Sequence, residues 1–195
     1  MSNDLLKELR ESTGAGLLEI KQALDEAGGN KEKAVEILRK KGALKLAKKS
    51  ERLAKEGVVE CYIHPGSRMG VILELNCETD FVAKTDDFKA LAKDIAMHIA
   101  ATAPLYISIN EVPVESVEKE KEIYKEQTAG GKKPEDVVNK IIEGKLAKYY
   151  EEICLLEQTY IKNPDIKVKD LISDAVGKMG ENIQIKRFAR FVLGN

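Results

Sequence analysis

The spacing of apolar positions changes from a helical period to a period of two near Gly57, and back again after Cys77. Residues 1–53 carry three short helical stripes. Leu5, Leu6 and Leu9 form the first, with Asn3 as its predicted N-cap. Thr13-Gly-Ala-Gly16 breaks it, because glycine permits backbone angles that other residues avoid. Leu17, Leu18, Ile20, Ala23, Leu24 and Ala27 restart the period, Gly28-Gly29-Asn30 ends that helix and caps the next, and Ala34, Val35, Ile37 and Leu38 give the third face. Val59, Cys61 and Ile63 then alternate with Val58, Glu60 and Tyr62. After His64-Pro-Gly-Ser-Arg68, residues Met69, Val71, Leu73, Leu75 and Cys77 alternate with Gly70, Ile72, Glu74 and Asn76. This predicts a β-hairpin over 57–77 with Pro-Gly in its turn. With Cys61 and Cys77 both assigned to the apolar face, Cys61 should oppose Val71 or Leu73 rather than Ile72. That requires an odd loop or a bulge.

Residues 86–102 predict an amphipathic helix with Phe88, Leu91, Ala92, Ile95, His98, Ile99 and Thr102 on one side, capped by Thr85 and stopped by Pro104. A charged helix over 114–129, a break at Ala129-Gly-Gly-Lys-Lys-Pro134 and a helix over 135–152 predict a helical hairpin at about 114–152, with Pro134 at the first helical position. Residues 167–178 predict a further short helix. A C-terminal strand at about 183–193 carries Ile183, Ile185, Phe188 and Phe191, with a parity slip near Arg187. The fold class that follows is α+β. A three-helix bundle and linker helix occupy 1–53. A core domain over 54–195 holds a small antiparallel sheet, about three strands, packed by helices and the helical hairpin.

Composition narrows the function. Apolar residues make up 43% of 195, enough for a real core. The 32 basic and 33 acidic residues nearly cancel. Tight nucleic-acid binding needs a basic excess to displace counterions, so no direct nucleic-acid contact is expected. The basic run Arg39, Lys40, Lys41, Lys45, Lys48, Lys49, Arg52 and Lys55 reads as the solvated face of a linker helix, with Ala43, Leu44, Leu46, Ala47 and Leu53 as its packed side. Three scattered cysteines make neither a closed disulfide framework nor a zinc site. They fit a reducing compartment. The charged, amphipathic first 20 residues do not read as a signal peptide, and no apolar run reaches the roughly 20 residues of a membrane span. A soluble, cytoplasmic protein is expected, with no membrane partner.

No catalytic constellation emerges. There is no G-x-x-x-x-G-K-[ST], no G-x-G-x-x-G and no G-x-S-x-G, so no nucleotide or other cofactor is expected. The two histidines do not share a metal-binding helical spacing. His64 reads as a surface turn residue and His98 as a hydrogen-bonded core residue. Glu78, Asp80, Asp86 and Asp87 match no calcium loop and read as helix-start chemistry, with no metal site expected. The one unusual segment is Thr79-Asp80-Phe81-Val82-Ala83-Lys84, where a Phe flanked by polar residues leaves a strand. Burying a Phe is worth roughly 1.5–3 kcal/mol. Phe81 either folds into its own core or is kept for a partner.

Four ordered segments carry a family resemblance. Thr13-Gly-Ala-Gly-Leu-Leu-Glu-Ile-Lys-Gln-Ala-Leu24 resembles the N-terminal signature of bacterial translation elongation factor Ts, with Leu17-Leu18 in place of the commoner Met pair and Ile20 where Cys is frequent. Those swaps keep volume and apolar character. Asn76-Cys-Glu-Thr-Asp-Phe-Val-Ala-Lys84 resembles the second signature. Ile153-Cys-Leu-Leu-Glu-Gln-Thr-Tyr-Ile-Lys162 resembles a third, with Thr159 where Pro is usual, and Gly180 to Phe191 resembles the C-terminal strand. The length resembles the family's short form. The three short helices of 1–53 also resemble a ubiquitin-associated bundle. The resemblance implies a guanine-nucleotide exchange factor, not an enzyme of covalent chemistry. Its implied partner is elongation factor Tu, GDP-bound and nucleotide-free. It implies docking through Thr13, Ala15, Gly16, Leu17, Leu18 and Lys21. It further implies disturbance of the partner's magnesium site by Asp80 and Phe81, supported by Thr79 and Val82, and a possible homodimer through the core sheet. The competing class is a binding module without exchange activity, which would need only residues 1–53.

Overall fold

The computed structural model describes residues 3–13, 15–128 and 134–194. Eight α-helices and three strands are assigned among them. They are α1 (Asn3–Thr13), α2 (Leu17–Glu26), α3 (Lys31–Ser50), β1 (Glu56–Ile63), β2 (Met69–Cys77), α4 (Asp80–Ala83), α5 (Asp86–Thr102), α6 (Val114–Thr128), α7 (Glu135–Ile153), α8 (Val168–Met179) and β3 (Gln184–Val192). The strands form one antiparallel sheet in the order β1-β2-β3, so the class is α+β. Two compact units share the chain. One comprises Met1–Val59, Glu74–Leu91 and Ile172–Lys186. The other comprises Glu60–Leu73, Ala92–Leu171 and Arg187–Asn195.

In the first unit, Leu6, Leu9, Ile20, Ala23, Leu24, Ala34 and Leu38 form one buried cluster from α1, α2 and α3. The helical spacing of these residues puts them on facing stripes. The Thr13 hydroxyl donates to the Leu9 carbonyl, closing the C-terminal turn of α1. Asn30 caps α3, its side chain accepting the Lys33 N–H at 3.0 Å. Gly28 and Gly29 precede it with positive φ of 60° and 82°. The side chains of Asn3, Arg39, Ala43, Leu44, Lys45, Leu46, Ala47 and Lys48 lie outside the described residues, as do Gly14 and the break at 129–133. Leu53, expected on a packed side, is instead exposed, because the chain has left α3 at Ser50. Farther on, Gly57 (φ +147°) stands where a Cβ would lie 2.1 Å from the Leu75 carbonyl oxygen.

The second unit is built on the later part of α5, with Ala92, Ile95, Ala96, Ile99 and Ala100 buried. Helices α6 and α7 pair as the predicted hairpin, the Lys145 ammonium lying 5.2 Å from the Tyr124 ring centre and 2.5 Å from Gln127 Oε1. Pro134 sits one residue before α7 rather than at its first position. The β1–β2 register corrects a sequence expectation. The His64 N–H bonds the Met69 carbonyl at 2.9 Å across a four-residue turn, which places Cys61 opposite Ile72 and not opposite Val71 or Leu73. Cys61 is exposed rather than buried, and Val71 and Leu73 face the core. The turn, with Gly66 and Ser67 at φ 91° and 56°, sets this even count without a bulge. Cys154 is buried, and burial pushes its thiol up to about 11. In β3 the alternation slips at Lys186–Arg187, where two successive residues are exposed.

His98 is fully buried, as predicted for a core histidine. Its Nδ1 accepts the Ile161 N–H at 3.3 Å, so Nε2 carries the proton and donates to Gln158 Oε1 at 3.1 Å. The Thr102 hydroxyl lies 2.8 Å from the same Gln158 oxygen, and Gln158 donates to the Glu152 carbonyl at 2.9 Å. Burial lowers the His98 pKa, against the opposing pull of Gln158. The folded state therefore holds His98 neutral at pH values where the unfolded chain protonates it. Stability is complete above the unfolded value of about 6.5 and declines as pH falls toward the lower folded value. We expect the urea midpoint to drop between pH 7 and 5, and His98→Gln to reduce that drop. An equal drop in both proteins would show that other groups carry the acid response.

Candidate functional site

Strand β2 ends at the buried Cys77, and the chain turns directly into the single helical turn α4. The segment that leaves the strand is thus helical. The Cys77 thiol points at the Thr79 carbonyl, 3.1 Å away, and burial followed by the Glu181 charge pushes its pKa up. It therefore stays protonated as a donor. Thr79 is the N-cap of α4, its hydroxyl accepting the Val82 N–H at 3.4 Å. The Ala83 N–H reaches the Thr79 carbonyl at 3.3 Å and the Lys84 N–H reaches that of Asp80 at 3.2 Å. Thr85 closes the turn, donating to the Val82 carbonyl at 2.8 Å while accepting the Phe88 N–H at 3.3 Å to begin α5.

Within this frame the four side chains face differently. Ala83 is buried and Val82 is half-buried, so they anchor the turn. Phe81 is 80% exposed. Asp80 pairs with Lys84 at 2.5 Å, one helical turn later. The hydrogen bond from Lys84 holds the Asp80 carboxyl below its usual range. The turn presents an apolar ring beside a carboxylate that stays ionised through neutral pH. Phe81 does not fold into the core here; its ring stands in solvent.

The turn is held from a distant part of the same unit. Glu181 Oε2 accepts the N–H groups of both Glu78 and Thr79, at 3.1 and 3.0 Å. Its Oε1 accepts the Thr79 hydroxyl at 2.6 Å. In return, Glu78 Oε1 accepts the Asn182 N–H at 2.7 Å and lies 3.5 Å from Arg52. Asn182 is buried, and its side-chain amide donates to the carbonyls of Ser50 and Arg52 at 3.3 and 2.7 Å. Sequence reasoning assigned Glu78 to helix-start chemistry and gave Glu181 and Asn182 no role. The only local sign was Gly180, whose φ of +81° marks a tight turn before them. Among the described residues, no group of three or more His, Cys, Asp or Glu side chains could hold a metal ion.

The second set of residues lies at the α1–α2 turn. Thr13 and Ala15 serve the bundle itself: the Thr13 hydroxyl lies 3.4 Å from the Ala15 N–H, and Ala15 packs on the buried cluster. Gly16 is exposed, in an extended conformation that any residue could adopt. Leu17, Leu18 and Lys21 are exposed along α2, with Leu18 at 71%. They form an apolar strip beside one cation, flanking the buried Ile20, Ala23 and Leu24 stripe. The two leucine classes differ in what truncation does. Leu24→Ala should destabilise the protein by about 2–5 kcal/mol. Leu18→Ala should change stability by less than about 0.5 kcal/mol. Chemical unfolding of both variants checks this, and a large loss in Leu18→Ala would make it a packed residue.

The sequence model of the family described as elongation factor TS matches residues 4–195. An elongation factor Ts of Carboxydothermus hydrogenoformans is 57% identical over 194 residues, covering 100% of this chain and 89% of the relative. One from Thermotoga petrophila is 57% identical over 194 residues, covering 100% and 96%. One from Herpetosiphon aurantiacus is 52% identical over 195 residues, covering 100% and 98%.

Proposed function

Since the chain belongs to the elongation factor Ts family, whose members exchange guanine nucleotide on elongation factor Tu, we propose that it performs that exchange with Phe81 as its lever. The observation that carries this reading is the exposed Phe81 on a turn braced at both ends. The protein does no covalent chemistry. It binds the GDP form, the ring of Phe81 enters between elements of the partner, and the ionised Asp80 acts beside it near the magnesium ion. Shifting the elements that order the ion's water shell weakens the ion and the diphosphate it neutralises. GDP leaves, GTP binds the nucleotide-free complex, and the factor is released. Leu17, Leu18 and Lys21 on the first unit supply docking, with residues 1–53 acting as a ubiquitin-associated-like module.

Linkage fixes the scale. GDP must weaken the factor by the same ratio as the factor weakens GDP. Each tenfold loss of GDP affinity takes about 1.4 kcal/mol of the complex's binding energy. Burial of one Phe provides roughly 1.5–3 kcal/mol, one or two decades, and the docking strip must supply the rest. Phe81→Ala should slow release of fluorescent GDP from elongation factor Tu by about 10- to 100-fold while leaving the melting temperature unchanged. Grossly lowered stability would return Phe81 to a core role, and an undiminished rate would remove it as the lever.

A homodimer through the sheet belongs to the same reading. In the second unit, Ile63, Ile72, Phe191 and Leu193 are all exposed and line a shallow groove of about 410 Å³. Covering such an apolar face is favourable. Sedimentation should find the native chain dimeric and Phe191→Asp monomeric. A native monomer at the concentrations of the exchange assay would refute it.

A further inference from the structure

We infer that Glu181 is a positioning residue for exchange, which acts by fixing the turn that carries Phe81; this rests on the exchange reading above. Helix α4 has four residues, too few to persist alone, because forming a first turn fixes several dihedrals for a single hydrogen bond. Something outside must hold it. Glu181 meets three donors immediately before the helix: the N–H groups of Glu78 and Thr79 and the Thr79 hydroxyl. The last contact has a directional effect. By accepting the hydroxyl's hydrogen bond, Glu181 leaves the Thr79 oxygen's lone pairs free for the Val82 N–H, which makes Thr79 an N-cap. A negative charge there also suits the positive end of a helical turn.

The clamp is reciprocal. The Asn182 N–H returns a bond to Glu78, so residues 78–79 and 181–182 hold each other although about a hundred positions separate them. None of these contacts touches Phe81. Their effect is to restrict the directions in which the exposed ring points. Without the carboxylate, two backbone donors and a hydroxyl at half-buried residues lose their acceptor, and the turn samples other conformations. Only the fraction with the ring correctly presented then binds productively, and the apparent affinity falls by that fraction.

The test uses the full chain and elongation factor Tu loaded with fluorescent GDP. Glu181→Ala should slow GDP release about tenfold, and Glu181→Gln, which keeps one acceptor oxygen, should recover part of it. The decisive comparison is Phe81→Ala/Glu181→Ala, which should be no slower than Phe81→Ala within about twofold, because a positioning residue has nothing left to position. Backbone amide exchange should show Val82 and Ala83 losing protection in Glu181→Ala, while Ile95 and Ile99 keep theirs. Multiplying effects in the double variant would mean that Glu181 acts independently of Phe81, and unchanged protection at Val82 would mean that no clamp exists. Either result overturns the inference. If Glu181→Ala does not fold, Glu181→Gln carries both comparisons. A native chain that fails to accelerate release overturns the exchange reading itself. A fully active native chain whose Glu181→Ala variant is equally fast overturns only the clamp.

Discussion

An aromatic ring kept in water is the constraint around which the first unit is organised. Phe81 would gain roughly 1.5–3 kcal/mol by folding inward, and a free loop would let it. The surrounding interactions remove that freedom. Cys77 is pinned in the core, its thiol aimed at the Thr79 carbonyl, and Ala83 is buried on the opposite side of the turn. Between those anchors the backbone has one helical turn, whose geometry directs residue 81 away from the interior while residues 82 and 83 face it. The buried amide of Asn182 ties the stretch after α3 to the same point, so the carbonyls of Ser50 and Arg52 share a support with the Phe81 turn. In this unit the exposed ring and the end of α3 are braced by neighbouring residues.

The second unit solves a different problem by the same means. Among the described residues its interior contains polar groups that find partners. His98, Gln158 and Thr102 form a closed set in which one tautomer satisfies both ring nitrogens. Tyr160 donates to Asp94 at 3.0 Å while Lys162 pairs with the other carboxylate oxygen at 2.6 Å. Burial and that carboxylate push the Tyr160 hydroxyl up to about 12, so it remains a donor across physiological pH. Networks satisfied this fully favour one arrangement over others of similar compactness.

What the sequence revealed was whatever is encoded locally. Period, caps and breakers located α5, the α6–α7 hairpin, α8 and all three strands, because spacing of apolar residues and the identities of Thr85, Asn30 and Pro104 are local facts. The strand register was misread for a physical reason. Both faces of β1 carry apolar residues, so alternation alone did not say which faced inward, and the four-residue turn decided it. Phe81 was legible as an anomaly, but its exposure was decided elsewhere in the chain. Glu181 was illegible, since an acidic residue after a glycine looks like any surface turn until the fold brings residues 78 and 79 to it.

The corrected register leaves the chain's three thiols in unequal circumstances. Cys77 and Cys154 are buried with their ionisation suppressed, whereas Cys61 stands on the outward face of the sheet, opposite Ile72. Thiol-directed reagents attack the accessible thiolate. The native chain thus comes with one selective attachment point, and a fluorophore or spin label can be placed on the sheet without replacing any residue. Were two copies to meet through that face, the paired labels would report their own separation.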